Sequence, residues 1–124
     1  MNDRYLFKAI DTNSVWRTGL LIALKGNRCA IEESDGSKWA CDAKTLCQCT
    51  GLKDKNGKLI WENDIINFKT SKAVVIWDKA EWRIKWIKDT IWRKDLHFWT
   101  NEDDWKCEVI GNIFDNKELL ESEE

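Results

Sequence analysis

Along most of the chain, apolar and polar residues alternate with a period of two, in short runs. Alternation of this kind marks a strand with one buried face, because successive side chains leave opposite sides of a pleat. "RYLFKAI" sets Tyr5, Phe7 and Ala9 on one side. "WRTGLLIAL" and "CAIEE" follow, separated by Lys25-Gly26-Asn27, a loop of hairpin length. "ESDGSKWACD" holds another turn at Asp35-Gly36, which tolerates the positive φ that tight hairpins demand. "AKTL" interrupts the alternation as an irregular segment.

The second half repeats the theme in "DIINF", "KAVVIWD", "EWRIKWIK" and "CEVIGNIF". In "EWRIKWIK", Trp82, Ile84 and Trp86 share one face while Arg83, Lys85 and Ile87 share the other. Helical character is confined to "NKELLESEE" and "DDWK". The pattern predicts a mainly β protein in three stretches. Short-strand hairpins occupy residues 1–49, a small SH3-like barrel 50–116 and a short helical acidic tail 117–124.

The most patterned run is "CTGLKDKNGKLIWENDII", Cys49 to Ile66, whose polar centre lies between apolar flanks. Asn56-Gly57 is a strong turn signal, since both residues tolerate left-handed backbone. Glu62-Asn63-Asp64 makes a second turn that launches "IINF". The run is architecture. Its "DKNG" lacks the spaced acids and late glutamate of a calcium loop.

Composition narrows the chemistry. The chain of 124 residues, 43% hydrophobic and 34% charged, suits one compact soluble domain. A net charge of −2 argues against a broadly basic nucleic-acid binder. "MNDRYLFKAIDTN" turns polar at once, which argues against a signal peptide or membrane span. Five cysteines, an odd number with a single CxC and no CxxC, predict reduced thiols packed as small hydrophobes in a reducing cytoplasm. They do not predict a metal site, because His97 is the sole histidine and a tetrahedral site needs four convergent ligands. Gly51, Gly57 and Gly111 build no phosphate loop, and the acids show no paired spacing. No catalytic residues, metal or cofactor are therefore assigned.

Nine tryptophans in a chain without proline remain to be explained. Five of them, with Phe98 and six basic residues, fall between Trp77 and Trp99. Trp and Arg dominate protein-binding hot spots, and aromatics beside cations can also stack single-stranded bases. Trp77, Trp82 and Trp86 are expected to fill the barrel core. Trp92 and Trp99, in a less regular segment, are expected to be exposed and functional. The candidate binding set is Arg83, Lys85, Lys88, Trp92, Arg93, Lys94, His97 and Trp99.

Three blocks carry a resemblance to a known family: "FKAIDTNSVWRTGLLI", "CTGLKDKNGKLIWENDII" and "CEVIGNIFDNKELLE". Together they resemble the YopX-type proteins of bacteriophages and prophages over nearly the whole chain. The resemblance implies a β-rich fold ending in an SH3-like barrel and a phage or prophage origin. It supplies no activity and no catalytic residue. Asn63 stands where the family's turn has glycine, Cys49 where an aromatic is common, and Lys117 where proline is common. The tryptophan-rich stretch from Lys69 to Trp105 follows no tight family pattern.

The functional expectation is a non-enzymatic accessory protein that binds a host or phage protein in the bacterial cytoplasm, modulating a host factor or defence system. The alternative is binding of a single-stranded nucleic acid or nucleotide through segment 77–99. Unpaired strand edges and surplus aromatics leave room for a homo-oligomer.

Overall fold

Ten short strands form where the sequence alternates. The computed structural model describes residues 5–87, 93–101 and 106–121. The strands are β1 (Phe7–Ile10), β2 (Trp16–Lys25), β3 (Arg28–Glu32), β4 (Lys38–Asp42) and β5 (Cys47–Lys53). They continue with β6 (Leu59–Trp61), β7 (Asp64–Phe68), β8 (Ser71–Asp78), β9 (Glu81–Trp86) and β10 (Glu108–Asn112). One four-residue helix, α1 (Phe98–Asn101), and 3-10 turns at Ala43–Thr45 and Lys117–Leu120 complete the described elements. The protein is mainly β with antiparallel pairing, and no closed barrel is seen among the described residues. The described part of the expected tail helix is a single 3-10 turn, and residues 122–124 and residues 103–105 of "DDWK" lie outside the described residues.

The chain divides into two compact units, Met1–Cys49 and Thr50–Glu124, and β5 carries the backbone from one into the other. In the first unit the strand order is β4-β3-β2-β1-β5. Alternation decides its inner face, where Ala9, Cys29, Ile31 and Cys41 are buried with Phe7, Leu21 and Trp39 against them. Gly19 sits where β2 crosses β3, and an added Cβ there would collide with the Glu32 carbonyl. That close approach is what glycine permits.

In the second unit the main sheet runs β10-β7-β8-β9. β7 is central, and Asp64, Ile65, Ile66 and Phe68 are all buried. Ala73 and Val75 from β8 and Ile84 and Trp86 from β9 join Ile60, Leu96, Trp99 and Cys107 in one core.

Two loops share one wiring. In Asp11-Thr12-Asn13-Ser14-Val15, the Asp11 amide donates to the Val15 carbonyl at 2.9 Å and the Ser14 amide to the Asp11 carbonyl at 3.1 Å. Asp11 Oδ1 then accepts the Asn13 and Val15 amides. Asp54-Lys55-Asn56-Gly57-Lys58 repeats every one of these bonds. In both loops the fourth residue is left-handed, Ser14 at φ 65 and Gly57 at φ 79. An aspartate at the first position closes the turn on itself, as Asx turns do. Asp54 goes further, since its Oδ2 accepts the Val109 amide of β10 at 2.9 Å.

Candidate interaction surface

The β8–β9 hairpin holds Arg83 and Lys85 of the candidate set, with Trp77, Trp82 and Trp86. Its register pairs Trp77 with Trp82, Ile76 with Arg83, Val75 with Ile84 and Val74 with Lys85. One face therefore carries Ala73, Val75, Ile84 and Trp86 into the core, and the opposite face carries Val74, Ile76, Arg83 and Lys85 outward. The turn at its tip is strained. Lys79 and Ala80 both adopt left-handed backbone, at φ 53 and φ 62, where a side chain costs about 1–2 kcal/mol each.

Trp77 is the last inward-facing position before this turn, and the core ends before reaching it. Its side chain is 57% exposed, and it meets half-buried Trp82 edge-on with centroids 5.0 Å apart. Trp99 is the reverse case. It is buried at 2%, encircled by Phe68, Trp86 and Phe98 at 4.9, 5.4 and 5.1 Å, and its Nε1 donates to the Arg93 carbonyl. The expectations for Trp77 as core and Trp99 as exposed are thus both corrected. α1 folds Trp99 back into the core from outside any strand, and the hairpin carries Trp77 past its edge.

Of the candidate residues, the structure gathers Arg83, Lys85 and Lys94 around one cleft of about 310 Å³, with Ile76, Asp78, Lys79, Ile84 and Trp86. Lys94 reaches it because the Ile84 amide donates to the Lys94 carbonyl at 2.7 Å. Arg83 pairs with Glu81 at 2.6 Å. Arg93 is turned to other tasks, forking onto Asp95 and stacking on Phe98 at 4.6 Å. His97 is exposed, and its carbonyl accepts from Thr100. Lys88 and Trp92 lie outside the described residues. Lys79 lines the cleft and Trp77 precedes the turn, both within segment 77–99 but outside the candidate set.

Nucleophilic chemistry finds little purchase on the thiols. All five cysteines are free and buried. Burial pushes Cys107 up to about 12 and Cys41 up to about 11, and it raises Cys29 as well. Such thiols stay protonated and weakly reactive. No group of three or more His, Cys, Asp or Glu converges on a metal position among the described residues. None of the described helices is long and apolar enough to cross a membrane.

The residues quoted above as family blocks take up turn and clasp positions. Thr50 Oγ1 donates to the Ile60 carbonyl, and Asn112 Oδ1 accepts the Phe114 and Asp115 amides. Asn63, in the middle of the Glu62-Asn63-Asp64 turn, is left-handed at φ 71. The YopX protein family matches residues 8–121. This chain belongs to the YopX family. A solved structure, the crystal structure of protein EF1440 from Enterococcus faecalis, is similar at a TM-score of 0.61 and 22% identity. The match covers 93% of this chain and 96% of that one, and at this identity it speaks to the fold alone. No curated protein matches the chain.

Proposed function

We propose that this YopX-family chain is a phage- or prophage-encoded accessory protein that acts as a non-enzymatic protein-binding module, modulating a host factor or defence system. The observation that carries the reading is Trp77, a large apolar ring held in solvent on a hairpin tip beside half-buried Trp82. Exposed tryptophans beside cations are the anchors that dominate protein interfaces. The second unit serves as an SH3-like module, and its short strands and tight turns on a small core support that description. Five buried free thiols suit a reducing bacterial cytoplasm. The single-stranded nucleic-acid reading keeps only Trp77 as an exposed ring among the described tryptophans of segment 77–99. Trp86 and Trp99 are buried and Trp82 is half-buried, and successive bases need successive stacking faces.

The test is affinity capture of tagged protein from host lysate with and without nuclease, read by mass spectrometry. A stoichiometric protein should persist after nuclease and be lost with Trp77→Ala. Undiminished capture by that variant would remove Trp77 from the site. Loss of every partner after nuclease would favour nucleic acid.

A further inference from the structure

We infer that the cleft on the outer face of the β8–β9 hairpin receives an acidic, extended segment of the partner protein. The inference rests on the protein-binding reading above and names the chemistry that the partner presents. Among the described residues, four cations, Lys79, Arg83, Lys85 and Lys94, line the cleft against one carboxylate, Asp78, on a chain whose net charge is −2. Arg83 is partly satisfied by Glu81. Lys79, Lys85 and Lys94 have no ion-pair partner among the described residues. Like charges gathered at one place repel each other, and an anion from outside relieves that repulsion.

The geometry selects the anion. Arg83 and Lys85 lie two positions apart on one strand, about 7 Å along it, the same repeat as alternate side chains of an extended peptide. Lys94 flanks them from the segment bonded to the Ile84 amide. Beside the cations, the outward-facing, half-buried Ile76 gives an apolar floor. A strand with carboxylates on either side of an aliphatic side chain meets both features. A nucleic acid would meet only the charge, since the one ring in the lining among the described residues, Trp86, is 6% exposed and cannot stack a base.

The probe is a synthetic Glu-Leu-Glu repeat peptide, titrated by calorimetry into the full chain at low and high salt. Wild type should bind, more weakly as salt rises. The double variant Lys85→Glu with Lys94→Glu should bind about tenfold more weakly or worse, with its near-ultraviolet dichroism unchanged. A matched reversal in the first unit, Lys25→Glu with Lys44→Glu, should leave binding as it was. Equal losses in the two double variants would reduce the effect to net charge and overturn the site. So would tighter binding of oligothymidylate than of the peptide. If Trp77→Ala abolishes lysate capture but the Lys85/Lys94 reversal spares it, the acidic-segment inference falls and the protein-binding reading stands.

Discussion

At Trp99 three aromatic rings meet a single indole, and its N–H is satisfied by the Arg93 carbonyl. Truncation there leaves a cavity that its neighbours cannot fill. Trp99→Ala should therefore lower unfolding free energy by about 3–5 kcal/mol, and Trp77→Ala by only about 1 kcal/mol, both read by urea titration. The sequence could not tell these residues apart, because burial at a hairpin tip depends on where the core stops. Asp11 offers a second check. The Arg17 side chain bonded to it, reinforced by the Val15 and Asn13 amides, holds its carboxyl below the ordinary value of 3.8. Its folded pKa is depressed, so its stabilisation is complete above that ordinary value and is lost as pH falls through the folded one. Urea midpoints for the wild type should drop on acidification below about pH 4, and those of Asp11→Asn should drop less.

Among the elements, the strands were legible wherever one face is wet, since the alternation is then written in the sequence. Turns at Asp35-Gly36 and Asn56-Gly57 were legible for a different reason, namely the few residue types that accept left-handed backbone. α1 was not, because four residues carry no helical period and Phe98–Asn101 is shaped by the core it closes. The clasp made by Asp54 was half legible. Its turn could be read locally, but its bond to Val109 spans 55 positions of sequence. Asp54→Ala strands the Asn56, Lys58 and Val109 amides together. The expected loss is about 3 kcal/mol, with amide hydrogen exchange quickened in both the loop and β10. Exchange confined to the loop would show that the Val109 bond contributes nothing.

For the whole molecule, class and family were within reach of the sequence, but sheet order and the grouping of cations were not. Arg83, Lys85 and Lys94 share a cleft only because the segment holding Lys94 runs beside β9, a neighbour relation that no local pattern encodes. The cysteines were read correctly as packed hydrophobes, since all five are buried. To a thiol-specific dye the native fold should be nearly blank at pH 8, and urea should release five reactive equivalents at once. A cysteine placed at Lys85 would then be the one rapidly labelled position. It would give a spectroscopic reporter at the cleft without removal of any native thiol.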